Sequence, residues 1–179
     1  MSNSLSSFEL FKKLKTGDIY KKINRPIIIA DNIRTPENMG SIIRLGANIG
    51  ALKVIFISIE ASEFKQFKIK KTASGAAEKM DWQVVDDFKS AKSLVPANYK
   101  YIALETSQDS ENIFKSKLPE TLVIIVGNEV KGIRDEIINE TSLRYHIPNP
   151  GVISSLNVTH ALSIGLFEWY RQMMGNGEG

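Results

Sequence analysis

The run "TLVIIVG", Thr121 to Gly127, contains no polar alternation. A strand of that kind must be covered on both faces, because a strand with one wet face alternates apolar and polar side chains. Five further short apolar runs accompany it: "RPIIIA", "LKVIFI", "WQVV", "YKYIALE" and "LRYHIP". Between several of them lie segments with helical spacing, namely Pro36 to Gly50, Asp86 to Leu94 and Ile133 to Asn139. Strands that alternate with helices predict an α/β domain with a mainly parallel sheet flanked by helices.

With 179 residues the chain can bury roughly 70% of its unfolded surface in one core. Residues 1–25 read as an amphipathic helical lead-in, 26–174 as one compact domain and 175–179 as a frayed tail. The absence of cysteine excludes disulfides, thiolate nucleophiles and cysteine-bound metals. Two histidines, His146 and His160, and no clustered carboxylates leave no metal site to expect. The N-terminus lacks the apolar core of a signal peptide, and no stretch approaches the roughly 20 apolar residues of a membrane span. A cytoplasmic protein with no membrane partner is the expectation. Lysines gather in "FKKLK", "YKK" and "KQFKIKK" within a net charge of only +3. They form either a basic face for phosphates or a solvated surface.

Three stretches carry polar groups in places that could support chemistry. In "DNIRTPENMGSIIRLGANIGA", Thr35 is a candidate N-cap and Pro36 suits the first helical position. The helical wheel puts Met39, Ile42, Ile43, Gly46 and Ile49 on one side, and Glu37, Ser41, Arg44 and Asn48 on a polar stripe. Arg44 is then either a solvated arginine or a phosphate clamp. Gly40, Gly46 and Gly50 imply that something approaches this backbone closely, or that the last one ends the helix. In "LVIIVGNEVKGIRDEI" a buried strand stops at Gly127 and a helix begins near Ile133, so the intervening loop lies where parallel sheets bind ligands. Glu129 there is either a ligand-holding group or an ordinary loop acid.

The third stretch, "PNPGVISSLNVTHALSIGLFEW", follows a last strand at Leu143 to Ile147. Its "SSLN" is placed to cap a helix beginning near Leu156 and to receive an anion. The helix carries Ala161, Leu162, Ile164, Gly165, Leu166, Phe167 and Trp169, a wider apolar surface than one core stripe, which points to a second buried face. His160 on it reads as a core or interface residue.

Taken in order, the three stretches resemble the three motifs of the SpoU/TrmH family of RNA ribose methyltransferases in the SPOUT superfamily. Asn38, Gly40, Ile42 and Arg44 match "NxGxIxR", "GNEVKGI" matches "GxExxG" and a following aliphatic residue, and "IPNPGVISSLNVTHA" matches "IP" and "SLNVS". "SGAAE", Ser74 to Glu78, is similar to the family's small-residue loop. The likeness spans roughly Ile27 to Trp169. It implies a C-terminal deep trefoil knot, a rare exception to the rule against knots, for which "NPGVISS" is suitably slim. It also implies S-adenosylmethionine bound by Leu104, Glu105, Gly127, Ile147, Ser155 and Leu156. A homodimer joined through the C-terminal helix is implied as well, with the site completed from the partner subunit.

The implied reaction is methylation of a ribose 2′-hydroxyl, which makes RNA the partner. Arg44, Asn38, Glu129, Ser155 and Asn157 are the implied catalytic residues. Because an arginine guanidinium holds its proton tightly, Arg44 is expected to bind a phosphate and polarise the hydroxyl rather than act as the base. Ser41, "RLGA", Asn149 and Thr159 depart from the usual pattern, but no polar motif residue is lost. The chain shows no separate N-terminal RNA-binding domain, which tilts the expectation towards transfer RNA over ribosomal RNA. Two other readings are a non-catalytic knotted RNA-binding or ribosome-assembly module, and a phosphotransferase using "GNEVKG" with ATP and magnesium.

Overall fold

A computed structural model describes residues 19–58, 66–153 and 155–175, with only the backbone of Gln66. The strands are β1 (Ile27–Asp31), β2 (Lys53–Ile57), β3 (Trp82–Val85), β4 (Lys100–Leu104), β5 (Glu111–Asn112), β6 (Leu122–Val126) and β7 (Leu143–His146). They form one sheet in the order β3-β2-β1-β6-β4-β7-β5, and every pairing is parallel. The helices are α1 (Pro36–Ile49), α2 (Gln66–Ala73), α3 (Phe88–Ser93), α4 (Asp135–Ile138) and α5 (Val158–Gly175).

Both central strands, β1 and β6, are buried along their whole length. Alternate residues feed different cores, as the two-residue period of a strand requires. Ile28, Ala30, Ile124 and Val126 pack with α1, α2 and α5. Ile27, Ile29, Val123 and Ile125 pack with Phe88, Ala91, Ile133 and Ile137 around α3 and α4. The expected two-sided cover is therefore a three-layer α/β/α arrangement.

The α1 signals act as read. Thr35 Oγ1 accepts from Asn38 N at 3.1 Å, and Gly50 closes the helix at φ 72°. Met39, Ile42, Ile43, Gly46 and Ile49 are buried, whereas Glu37, Arg44 and Asn48 are exposed. Two glycines also mark close approaches: a Cβ on Gly40 would lie 2.6 Å from the Ile69 carbonyl oxygen of α2, and one on Gly46 would lie 2.7 Å from Val54 Cγ2 of β2.

Three boundaries differ from the expectation. The helix after Gly132 starts at Asp135 instead of Ile133, because Arg134 is extended (ψ 143°) while its N–H and side chain reach back to Asp31. The last helix starts at Val158, not Leu156. Asn157 Oδ1 accepts from Thr159 N at 2.8 Å, so one residue does the capping assigned to "SSLN". The last strand ends at His146. Helix α2 and the two-residue β5 were not anticipated. The lead-in up to residue 18, Ser154 and residues 176–179 lie outside the described residues; Ile19 is helical, and 20–23 form a turn in which Tyr20 O–H donates to the Ile49 carbonyl. Among the described residues no helix is long and apolar enough to cross a membrane, and no group of three or more His, Asp or Glu could hold a metal ion.

Gly40→Ala places its Cβ against α2 backbone, which cannot rotate away. The expected loss of stability is about 1–3 kcal/mol, seen in thermal unfolding as a Tm lowered by roughly 2–12 °C. Gly75→Asn, at φ +78° with nothing within 4 Å, is expected to leave Tm nearly unchanged because asparagine tolerates that conformation.

Candidate active site

The strand order sets β6 between β1 and β4, and β7 on the far side of β4. The carboxyl ends of three adjacent strands therefore meet, at Glu105, Gly127 and Ile147. They border a cavity of about 380 Å³, within the roughly 300–1,000 Å³ usual for ligand sites. Leu104, Glu105, Gly127, Ile147, Ser155 and Leu156 all line it, as does Glu129. Ser155 and Leu156, exposed and outside the helix, form its C-terminal wall.

The loop after β6 is held rigidly. Asn128 N donates to Gly132 O at 3.0 Å and Gly132 N returns a bond to Asn128 O at 2.9 Å. Inside that turn, Asn128 Oδ1 accepts from Val130 N and Lys131 N, and Asn128 Nδ2 donates to Asn32 O. A Cβ on Gly127 would lie 2.2 Å from the Gly132 carbonyl carbon, so the loop folds onto bare backbone. Beyond the turn, Ile133 N donates to Glu105 Oε2 at 3.0 Å, and Arg134 N to Asp31 Oδ2 at 3.0 Å. Asp31 is fully buried; its carboxylate also accepts from Arg134 Nη2 at 2.7 Å, and this bond raises the pKa of the guanidinium above its ordinary value.

Glu129 closes a directional hydrogen-bond chain. Its Oε2 accepts from Arg34 N at 3.2 Å and its Oε1 from Asn38 Nδ2 at 2.6 Å. A carboxylate only accepts, so Asn38 must turn its amide nitrogen towards Glu129 and its oxygen towards Asn157. Asn157 Nδ2 donates to that oxygen at 3.4 Å, leaving Asn157 Oδ1 for the Thr159 hydroxyl at 2.6 Å. The three stretches separated in sequence are joined by this chain. The N-terminus of α1 adds a favourable field for the Glu129 carboxylate.

Arg44 stands apart. It is exposed on α1, absent from the cavity wall, and makes no ion pair among the described residues. Six residues beyond Asn38, it lies about 9 Å further along the helix and a third of a turn round. His160 is exposed rather than buried in the core. Asn128, Asp31, Arg134 and Thr159 had not been singled out for the site; an Asn directly after a buried strand is the turn signal that would have marked the first.

Residues 25–167 match the SpoU rRNA Methylase family. The chain belongs to that family. It is 28% identical over 170 residues to the 23S rRNA (guanosine-2'-O-)-methyltransferase RlmB of Haemophilus influenzae, covering 92% of this chain and 69% of that one. In fold it is similar to the A. aeolicus TrmH/SpoU tRNA modifying enzyme, with TM-score 0.76, 24% identity, and coverage of 94% of this chain and 86% of the other. It also resembles the SpoU methyltransferase AviRb from Streptomyces viridochromogenes in complex with the cofactor AdoMet, with TM-score 0.75, 21% identity, and coverage of 90% and 65%.

The charge of the cavity wall has one sign. Two carboxylates, Glu105 and Glu129, border it, and among the described residues no lysine or arginine does. Such a wall favours a cationic ligand and repels a polyphosphate. Lys131 of "GNEVKG" faces a separate hollow with Arg34.

Arg134→Met removes the side-chain partner of a buried carboxylate. The expected cost is about 3 kcal/mol, with faster hydrogen exchange at the Ile133 and Arg134 amides. Unchanged exchange there would mean that Asp31 does not anchor the loop.

Proposed function

We propose that this chain methylates a ribose 2′-hydroxyl of structured RNA at the cavity beyond β6, β4 and β7. The carrying observation is the conjunction of a cavity bordered by two carboxylates, with no lysine or arginine among its described lining residues, and the Asn157–Asn38–Glu129 chain at its edge. S-adenosylmethionine, the cofactor, supplies a methyl group on a positively charged sulfur. The donor set fits it: Leu104, Leu156, Val158 and Ala161 offer apolar surface for an adenine ring, and the bare backbone at Gly127 permits close approach. Glu105 and Glu129 offset the positive charge. The ATP-dependent phosphotransferase reading has the wrong sign of charge at this cavity.

The 2′-hydroxyl is a weak nucleophile, so the protein must orient it and assist loss of its proton. Asn38, Glu129, Ser155 and Asn157 are assigned to positioning at the cavity edge. Arg44 is assigned to the phosphate beside the target ribose, where its fork polarises the hydroxyl while the proton passes to phosphate or water. Its distance from Asn38 along α1 supports an Arg44 supplied by the partner of a homodimer. Helix α5 supports the same reading: His160, Ile164, Phe167, Arg171 and Met174 recur at helical spacing, and Phe167 is 48% and Met174 40% exposed. "NPGVISS" is assigned to the threaded segment of a trefoil knot; Pro150, Gly151 and the Asn149 Nδ2 bond to Ile153 O at 2.7 Å give its first part a slim, tight turn.

The test incubates labelled S-adenosylmethionine and the protein with bulk transfer RNA and, separately, ribosomal RNA, and maps alkali-resistant linkages. Which pool is labelled decides between the two RNA classes. Arg44→Ala is expected to lower turnover by about a hundredfold or more. No labelling of either pool leaves the non-catalytic RNA-binding reading in place; full activity of Arg44→Ala overturns the mechanism.

Subunit origin has its own measurement. Arg44→Ala and Asn157→Ala proteins, each inactive alone, are mixed and allowed to exchange subunits. If Arg44 serves the partner's cavity, half of the dimers are mixed and each has one intact site, so about a quarter of wild-type activity returns. No recovery after demonstrated exchange would place both residues in one subunit's site.

A further inference from the structure

The lysine-rich stretch singled out in the sequence takes no part in the cavity. In the structure its described part, 66–71, lies in α2, whose Ile69 and Ala73 are buried while Phe67, Lys68, Lys70 and Lys71 are exposed. Phe67 and Lys71, four residues apart, share the outward ridge of the helix, with Lys68 and Lys70 on its flanks. Phe67 is 62% exposed, an aromatic ring held in solvent among three cations. From Phe67 to Met80 four lysines stand against one acid, Glu78.

Helix α2 is also tied to α1. A Cβ on Gly40 would meet Thr72 Cβ at 2.7 Å, and Thr72 Oγ1 donates to Lys68 O at 3.2 Å. Arg44 lies one helical turn beyond Gly40, and Lys68 one turn before Thr72. The basic ridge and the arginine assigned to the phosphate are therefore carried on two helices in direct contact.

We propose that α2 is a docking surface for an unpaired stretch of the RNA, with Phe67 stacking on a splayed base and Lys68, Lys70 and Lys71 contacting flanking phosphates. This rests on the reading of RNA as substrate. Charge complementarity selects a polyanion, and the ring selects its form. A duplex keeps its bases stacked internally and offers an aromatic ring no base face, whereas a loop or single strand does. The ridge would hold the strand flanking the target nucleotide and leave the target ribose to the cavity.

The test measures binding of a fluorescein-labelled single-stranded RNA and of the same sequence closed into a duplex, using the full chain. Phe67→Ala is expected to weaken single-strand binding about tenfold, Phe67→Tyr to restore it, and duplex binding to change little. Lys68→Gln and Lys71→Gln are each expected to lower the slope of log affinity against log salt by about 0.7. Affinity for S-adenosylmethionine should stay constant throughout. Wild-type single-strand affinity in Phe67→Ala, an equal loss on duplex, or a change of oligomeric state in Phe67→Ala by sedimentation would each overturn the proposal, the last by assigning the ring to a protein interface. Unaltered binding in the α2 variants of an active methyltransferase rejects this surface alone. Binding that depends on α2 in a protein that transfers no methyl group upholds the surface and rejects the activity.

Discussion

The carboxyl ends of β1, β6, β4 and β7 can converge only because β1 and β6 are buried along both faces. Such strands must carry helices on both sides, and parallel pairing sends every connection back across the sheet. The polar loops that follow adjacent strands are thereby gathered at one edge. The cavity exists because β6 is inserted between β1 and β4, bringing Gly127 beside Glu105 and leaving Ile147 one strand further on.

At that edge, backbone proximity and charge act together. Gly127 lets the loop after β6 fold against its own start. Asn128 fills the turn, and the buried Asp31 carboxylate binds Arg134 through main chain and side chain. With the loop held at both ends, Glu129 projects to the N-terminus of α1 and orders Asn38 and then Asn157. The acceptor-only chemistry of one carboxylate thus fixes two amide orientations. Among the described residues no lysine or arginine lines the cavity; Arg44 on α1 and the lysines on α2 are exposed outside it.

Legibility in the sequence followed the range of the interaction. Helix α1 could be read almost to the residue because Thr35, Pro36 and Gly50 act within one turn of its ends. Of the strands that bear the cavity, β6 was visible as an unbroken apolar run, and β4 and β7 as short runs interrupted by charged residues. By contrast, the start of α4 depends on Asp31, 103 residues away from Arg134, and no local signal carries that. Helix α2 was missed because its short span contains few buried residues and much lysine, so its inward face is recognisable only against Gly40. The two-residue β5 is defined by its pairing with Tyr145 and His146.

The sequence by itself determined the α/β alternation, two-sided burial, the caps of α1, the wide apolar surface of the last helix and, through three ordered motifs, the family. Each of these depends on side-chain type and on spacing along a single element. Tertiary structure alone decided the strand order, the anchoring of the Gly127–Gly132 loop by Asp31 and Glu105, the chain joining Asn157, Asn38 and Glu129, and the separation of Arg44 from the cavity wall. Those features rest on contacts between residues about 30 to 120 positions apart, whose geometry exists only once the sheet has brought its strand ends together.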